Sequence, residues 1–381
     1  MKKFKKITGW LHLWLGLTVG LILIVVALTG SLLTFERELE PILFKKREVV
    51  LPAGQRLPAD SLIHIANAVF ANSQVSRLII PQDPTRSVEV RIGTKGEKGL
   101  KVAYINPYNG QILYKGVYTQ LFYQQVRSLH RYLFLGATGK IITGISCSIT
   151  VFMVISGLII WWPANKNAIK QRFKIKWNAS GKRLNWDLHA VTGFYLSIIL
   201  LCITITGFVW SYDWADRLIY QMADGKKTEK PDKIKNISKG KKIKPGVYQA
   251  MMVQTDSIYP YPGSVAFNIP AKGALAVTVQ KEPEESRVRQ IDAAYFDSHT
   301  GKLLTTLPYS KLTTGDKIRR MILTIHTGSL LGWPTKLLYL FTALFTASLP
   351  VTGFLMWIGK QKKPKKKGAQ PITKAQTTVS T

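Results

Sequence analysis

The chain has 381 residues, and 53 lysines and arginines against 21 aspartates and glutamates give it a formal net charge of +32. A balance this basic is common among proteins that bind nucleic acid. The distribution of the charge argues against that class, because four long apolar runs contain no Asp, Glu, Lys or Arg: Leu11–Phe35, Ile141–Trp162, Val191–Trp210 and Leu337–Ile358. Each run reaches the roughly 20 residues that an α-helix needs to cross a lipid bilayer. The sequence therefore predicts an α-helical membrane protein with four transmembrane helices and no nucleic-acid partner.

The lysines and arginines that flank these runs predict the orientation of the chain. Met1–Lys6, the loop Ala164–Arg183 and the tail around Lys360–Lys367 are basic and fall on one side of the membrane if four helices alternate. That side is cytoplasmic by the positive-inside rule, so both termini are expected in the cytoplasm and the two large loops on the other face. Lys226–Lys244 carries nine lysines on that other face. Long loops cross largely regardless of charge, and the composition of this segment is typical of a flexible solvated loop.

The first large loop predicts one helix packed on a small antiparallel sheet. Pro41 ends the preceding helix, and Asp60 or Ser61 is expected to cap a helix whose apolar face includes Leu62 and Val69. Four strand-like runs follow, at Val75–Ile80, Ser87–Ile92, Lys101–Asn106 and Gln111–Lys115.

The second large loop repeats the ending of the first. Tyr104 precedes Gly110 by six residues, and Tyr295 precedes Gly301 by six, each pair within a predicted hairpin. A second α+β domain of the same kind is therefore expected, enlarged by the Lys-rich insertion.

Two histidines begin matching frames at the predicted cytoplasmic ends of the first and third apolar runs. His12 and His189 are each followed four residues later by a glycine, Gly16 or Gly193, and 17 and 18 residues later by a Thr-Gly pair. Positions i, i+4 and i+18 lie on nearly one face of an α-helix. Each histidine is therefore expected at the end of a glycine-bearing stripe.

Two more histidines share a second frame on the opposite side. His130 and His326 each precede a lysine by ten residues, Lys140 or Lys336, and a glycine by 27. Together the two frames hold four of the six histidines. They predict that the chain is two copies of a unit of roughly 180 residues.

The four histidines sort into an inner pair, His12 with His189, and an outer pair, His130 with His326, and each pair takes one histidine from each copy. Ionisable residues at membrane spans are costly and are functional candidates by default. Neutral imidazole is the usual axial ligand of haem iron, and two on facing helices give a six-coordinate haem that transfers electrons. Since no Cys-x-x-Cys-His occurs, the sequence predicts two b-type haems with bis-histidine ligation.

Other residues have candidate roles around these haems. Gly16 and Gly193 are expected to let the helix backbone approach the flat macrocycle. Lys140, Lys336 and Arg131 are candidates for binding haem propionates, although snorkelling to the interface explains the lysines equally well. A histidine at a membrane boundary can also be a hydrogen-bonded packing residue, and glycines also support close helix packing. The repetition of all four frames favours ligation.

These motifs together resemble the PepSY-associated transmembrane family. The resemblance rests on four spans, on His-x3-Gly with a later Thr-Gly in spans one and three, on His130 and His326 ahead of Ser156-Gly157 and Thr352-Gly353, and on a Tyr-x5-Gly hairpin in each large loop. It implies four transmembrane helices in two repeats, each with an extramembrane α+β PepSY-like domain. The expected segments are transmembrane helix 1 (1–36), periplasmic domain 1 (37–119), an outer helix with transmembrane helix 2 (120–163), a cytoplasmic loop (164–183), transmembrane helix 3 (184–212), periplasmic domain 2 with the Lys-rich insertion (213–315), transmembrane helix 4 (316–360) and a cytoplasmic tail (361–381).

The family includes inner-membrane ferric siderophore reductases of Gram-negative bacteria. The resemblance therefore implies an oxidoreductase of the bacterial inner membrane, a di-haem electron conduit that reduces Fe(III) to Fe(II) in a periplasmic ferric siderophore or other ferric chelate. No flavin or nicotinamide fingerprint is visible, so the electron donor is expected to be a quinol or a partner reductase. Two alternatives stay open: a membrane cytochrome b subunit that serves a partner oxidoreductase, and a haem-free PepSY protein with a regulatory or transport-accessory role.

Overall fold

The computed structural model describes residues 2–70, 72–94, 99–163, 169–225, 234–238, 243–271, 275–284 and 288–361. The predicted Lys-rich insertion falls mostly, and the predicted tail 361–381 almost wholly, outside these ranges. The helices of the described residues are α1 (Lys2–Thr34), α2 (Glu36–Leu43), α3 (Lys45–Glu48), α4 (Ala59–Val69), α5 (Phe122–Tyr132), α6 (Gly136–Trp161), α7 (Ile169–Arg172), α8 (Gly181–Ser211), α9 (Asp213–Asp224), α10 (Val247–Ile258), α11 (Thr314–His326) and α12 (Trp333–Gln361). The strands are β1 (Ser73–Ile80), β2 (Val88–Thr94), β3 (Leu100–Ile105), β4 (Ile112–Val117), β5 (Ser264–Asn268), β6 (Val277–Glu282), β7 (Asp292–Phe296) and β8 (Leu303–Leu307).

Four helices, α1, α6, α8 and α12, are long and apolar enough to cross a membrane, which confirms the prediction of a membrane protein with four such helices. They form a closed ring in which α1 packs against α6 and α12, and α8 packs against the same two helices. Small residues allow the close approach: a Cβ added to Gly20 of α1 would lie 2.9 Å from Cβ of Pro350 in α12.

The extramembrane strands form one antiparallel sheet of eight strands in the order β4-β3-β2-β1-β5-β6-β7-β8. The two large loops contribute four strands each, and they meet where β1 pairs with β5, with Arg77 opposite Asn268. The sheet is therefore continuous across the two segments, which the sequence did not predict. Each four-stranded half would otherwise expose an unpaired edge, and joining the edges satisfies the backbone groups of both.

One face of this sheet carries the main hydrophobic core. Helices α4 and α10 lie on it, and Leu78, Val90 and Phe267 are fully buried there. The hairpin turns of the two halves match as well: Gly110 and Gly301 have φ of +74° and +72°. This left-handed backbone favours glycine, which explains the glycine of the Tyr-x5-Gly pattern in each hairpin turn.

The predicted cap of α4 is wrong, because neither Asp60 nor Ser61 caps its own helix. The helix begins one residue before Asp60, and the Asp60 carboxylate accepts instead from the amides of Tyr248 and Gln249 in the first turn of α10. In return, Oε1 of Gln249 accepts from the amide of Ala59 at 3.0 Å. The two helices cap each other, and such an exchange between distant parts of the chain is invisible to a local reading of the sequence.

Helices α2 and α3 connect the end of α1 to the sheet through the buried Arg47. Its guanidinium donates to Glu40 at 2.7 Å and to Glu48 at 2.9 Å. It also lies 4.5 Å above the ring of Phe44 and 4.7 Å above that of Tyr104 in β3. Ion-pair contacts join this buried arginine to α2, which follows α1, and a cation–π contact joins it to β3. The arginine therefore connects the sheet to the end of α1.

This arrangement makes stability depend on pH through Glu40. Burial and the nearby carboxylate of Glu48 raise the pKa of Glu40 to about 7, against the opposing pull of Arg47. The folded state therefore keeps the proton on Glu40 to a higher pH than the unfolded chain does. The stability that this protonated carboxyl contributes is fully present below the unfolded pKa of about 4.5 and is lost as pH rises through about 7. We expect the thermal midpoint of the purified protein to fall across this window. Glu40→Gln should flatten that part of the profile, whereas Glu284→Gln, at an exposed position, should keep the wild-type slope.

Candidate functional site

Four histidines at the two ends of the helix ring are anchored in the same way. In each case Nδ1 lies within hydrogen-bond distance of a Ser or Thr hydroxyl on a neighbouring helix. The pairs are His12 with Ser156 (2.8 Å), His130 with Thr29 (3.1 Å), His189 with Thr352 (2.8 Å) and His326 with Thr206 (2.9 Å).

The hydroxyls fix which ring nitrogen carries the proton. Each of the four donates its single hydrogen to a carbonyl of its own helix; for example, Oγ1 of Thr206 donates to Cys202 at 2.7 Å and Oγ1 of Thr29 to Val25 at 2.6 Å. The hydroxyl oxygen is then left to accept from an Nδ1–H. For His130 the carbonyl of Val26, 2.9 Å from Nδ1, requires the same tautomer. This pattern favours a proton on Nδ1, which would leave Nε2 as the unprotonated nitrogen, the form that ligates a metal.

A glycine always follows the anchoring hydroxyl residue, and it faces the imidazole. If a Cβ were added to each glycine, its distance to Cε1 of the histidine would be 3.1 Å for Gly30, 3.4 Å for Gly157, 3.6 Å for Gly353 and 3.9 Å for Gly207. The glycine removes the side chain that would hold the ring away from the helix. A Ser/Thr-Gly pair on one helix thus forms a seat for a histidine on another.

The histidines meet in two pairs. The ring centroids of His12 and His189 lie 6.4 Å apart, and those of His130 and His326 lie 6.3 Å apart, with interplanar angles of 78° and 74°. Conjugated C–N bonds of about 1.33 Å put a ring nitrogen about 1.1 Å from its centroid. With metal–imidazole bonds of about 2.0–2.1 Å, two imidazoles on opposite sides of one ion would have centroids about 6.2–6.4 Å apart. Within the described part of the chain, no hydrogen bond engages Nε2 of any of the four.

Helix α1 shows that the two pairs lie at opposite ends of the ring. It carries His12 of one pair and Thr29, the anchor of the other, and these are 17 residues apart, or about 25 Å along a helix. The same spacing separates His189 from Thr206 on α8. The pair His130–His326 lies at the end that continues into the sheet, and the pair His12–His189 lies at the far end.

Each histidine is anchored within its own half of the chain and faces a partner from the other half. His12 and His130 are seated on α6 and α1, whereas His189 and His326 are seated on α12 and α8. Each pair therefore forms only when the two halves are assembled.

The glycines predicted to line the haems behave differently from each other. A Cβ on Gly16 would lie 2.7 Å from Cε of Met153, the end of a flexible side chain, so this glycine packs α1 against α6 and its expected role beside a haem stays a prediction. Gly193 has nothing within 4 Å of the same position among the described residues, which leaves its expected role untested. The glycines that face the imidazoles are those of the Ser/Thr-Gly pairs on the neighbouring helices, whereas Gly16 and Gly193 stand at position i+4 on the histidines' own helices.

The three predicted propionate-binding cations lie at the sheet end of the bundle. The Lys336 ammonium is buried and pairs with Glu38, and it lies 4.7 Å above the ring of Phe35. Nζ of Lys140 lies 3.7 Å from an oxygen of Asp213, and the Arg131 guanidinium lies above the ring of Tyr132. Lys336 already has a carboxylate partner, and the roles of all three towards a propionate stay predictions.

No group of three or more His, Cys, Asp or Glu within the described ranges forms a site for a bare metal ion. A pair of imidazoles is a different kind of site, since the haem macrocycle supplies four nitrogen ligands to the iron and the protein supplies only the axial ligands. Among the described residues, the two pairs are compatible with that requirement in the distance between their rings and in the lack of a hydrogen bond to Nε2.

Fold and site together define a membrane protein with four spanning helices, an extramembrane antiparallel sheet and a histidine pair at each end of the bundle. The chain belongs to the family described as the PepSY-associated TM region, whose family model matches residues 9–360. This confirms the resemblance seen in the sequence. A search of curated proteins found no match.

Proposed function

We propose that the protein is a di-haem electron conduit that reduces Fe(III) in a ferric siderophore or other ferric chelate. The observation that carries the proposal is the repeated seat: each of the four histidines has Nδ1 within hydrogen-bond distance of a hydroxyl beside a glycine, and the ring centroids lie 6.4 Å apart in one pair and 6.3 Å apart in the other. Packing histidines have no need of this arrangement at four places.

His12 and His189 would hold one haem b, and His130 and His326 would hold the second. When bound, each haem iron would accept and release a single electron between its Fe(III) and Fe(II) states. The chain itself would position the imidazoles and shield the haem sites from water. The hydroxyls hold the imidazoles in the ligating tautomer and raise their basicity, and the surrounding apolar helices limit the access of water.

The spacing of the two pairs supports a path across the membrane. Two sites about 25 Å apart along α1 divide the roughly 30 Å of a bilayer core between them. The chelate would be reduced at the sheet end, beside His130 and His326. Hard oxygen ligands hold Fe(II) less tightly than Fe(III), so reduction would release the iron from the chelate. The reductant comes from outside the chain, as a quinol or a partner reductase.

The duplicated histidine frames lead us to infer that the chain arose as two copies of one unit. The family resemblance leads us to infer a location in a bacterial inner membrane. By the positive-inside rule both termini would then lie in the cytoplasm and the sheet in the periplasm.

The test is a pyridine haemochrome assay on detergent-purified protein expressed with ample haem, followed by mixing of the reduced protein with ferric chelates. Two haems b per chain, reoxidised by a ferric chelate at a rate that saturates with its concentration, are the expected result. Two haems with no chelate-dependent reoxidation would instead identify a cytochrome b subunit that serves a partner enzyme. Haem-free protein would overturn the proposal and favour a regulatory or transport-accessory role.

A further inference from the structure

A row of polar side chains crosses the sheet on the face opposite α4 and α10. Alternation along the strands buries Leu78 and Val90 in the core and puts Arg77 and Arg91 on the other face. Arg77 in β1 and Arg91 in β2 are direct cross-strand partners. Like charges placed opposite each other destabilise a sheet, so this pair favours an anion as its neighbour.

Arg77 lies at the centre of the sheet with unused donors. Its Nη1 donates to Oδ1 of Asn268 across the junction of β1 and β5 at 3.0 Å. Its Nε is buried and has no hydrogen-bond partner among the described residues. Burial, followed by the charges of Arg91 and Arg289, lowers the pKa of Arg77, against the opposing effect of Glu89. A partly buried guanidinium with one buried, unpaired N–H gains most from an acceptor that is itself charged.

The carboxylates already present leave positive charge in excess. Nε of Arg91 donates to Glu89 at 2.6 Å, and Nε of Arg289 lies 3.7 Å from Glu282. Within the described ranges, three arginines thus share two carboxylates. The Arg91 side chain is 24% exposed and that of Arg289 is 44% exposed, so the cluster is open to a ligand. A single excess charge suits one carboxylate better than a phosphate dianion.

The cluster also lies close to the route into the outer histidine pair. The Arg91 guanidinium stacks 4.3 Å above the ring of Tyr118, and Tyr118 begins the short turn that leads into α5, the helix of His130. The Tyr118 hydroxyl also lies within electrostatic range of Arg127, three residues before His130. An anion bound at the arginines would therefore sit between the sheet and the end of the bundle that carries His130 and His326.

We propose that Arg77, Arg91 and Arg289 form a binding site for a carboxylate group of an anionic ferric chelate. The planar fork of a guanidinium matches the two oxygens of a carboxylate, and the partly exposed side chains of Arg91 and Arg289 give such a group access to the cluster. The identification of this ligand as the substrate rests on the proposed electron conduit, whereas the anion site itself does not. The site selects carboxylate chelates over uncharged or cationic ones.

The test measures binding apart from reduction. Gallium(III) citrate, which carries the same carboxylates around a metal that the haems cannot reduce, is titrated calorimetrically into the full-length protein in detergent. A cationic gallium trihydroxamate and inorganic phosphate serve as comparison ligands. The variants are Arg77→Gln, Arg77→Lys and Arg91→Gln, with Lys302→Gln at an exposed turn of the sheet as the charge-matched control. Circular dichroism and elution volume check that each variant is folded.

Wild type and Lys302→Gln should bind gallium citrate equally, and Arg77→Gln should weaken binding about 10–100-fold, the worth of a charged hydrogen bond. Arg77→Lys keeps the charge without the fork and should resemble Arg77→Gln. Equal binding by wild type, Arg77→Gln and Arg91→Gln would overturn the site, as would tighter binding of phosphate or of the trihydroxamate. Arginine-dependent binding of gallium citrate to haem-free protein would support the anion site and contradict the electron conduit. Haem-replete protein with no citrate binding would remove only the anion site.

Discussion

Replacing His130 with alanine is expected to lower the haem content from two to one per chain. His130 supplies one of the two imidazoles of the pair at the sheet end, and in the proposed function both would be needed to hold the haem there. The His12–His189 pair is seated on different residues and should keep its haem. Loss of even an outer partner of a metal ligand costs about 10–100-fold in affinity, so loss of the ligand itself should cut chelate reduction by more than about 100-fold. Haemochrome content and the rate of reoxidation measure the two effects.

His64→Ala is the matched control, because His64 is exposed on α4, on the far side of the sheet from the bundle. It should retain two haems and full reoxidation. His12→Ala should also leave one haem, and the double variant His12→Ala/His130→Ala should leave none. If His130→Ala retains two haems with unchanged spectra, the outer pair is not a haem site.

A leucine at Gly30 is expected to expel the outer haem while every histidine remains in place. The first added carbon would already lie 3.1 Å from Cε1 of His130, and the branched remainder of the side chain would occupy the volume of the ring. The imidazole must then leave its seat, lose its hydrogen bond to Thr29 and move away from His326. We expect one haem per chain and loss of chelate reduction, comparable to His130→Ala.

Gly9→Leu gives the same change on the same helix at a position where an added Cβ meets nothing within 4 Å among the described residues. It should retain two haems, which separates displacement of His130 from any general effect of leucine in α1. Two haems in the Gly30→Leu protein would contradict the seat described for His130. A smaller substitution, Gly30→Ala, should show a partial effect, because its single carbon needs only a slight shift of the ring.

Local patterns predicted the elements well. The four apolar runs correspond to α1, α6, α8 and α12, and the four strand-like runs of the first loop overlap β1 to β4. These signals depend on hydrophobic periodicity and turn chemistry within one segment, which a sequence displays directly. The exchange of caps through Asp60 and Gln249 escaped prediction because it joins residues 189 positions apart.

The histidines were found from the sequence, but their surroundings were only half understood. Repetition singled out His12 and its three counterparts, as well as the Ser/Thr-Gly pairs, yet nothing in the spacing showed that each pair seats a histidine from another helix. The expectation fell on Gly16 because it shares a helix face with His12, whereas the glycine that faces His12 is Gly157 on α6. Helix periodicity describes one helix, and a seat between two helices depends on packing.

The junction of β1 and β5 has a mechanical consequence. Transporters built from two repeats work by rocking one repeat against the other, and a continuous sheet across both halves opposes such movement. Both histidine pairs bridge the same two halves, so rocking would separate the paired imidazoles. The backbone ladder from Arg77 to Ile80 of β1 against β5 holds the halves together, which suits the proposed electron conduit, because electron transfer would not require the halves to move.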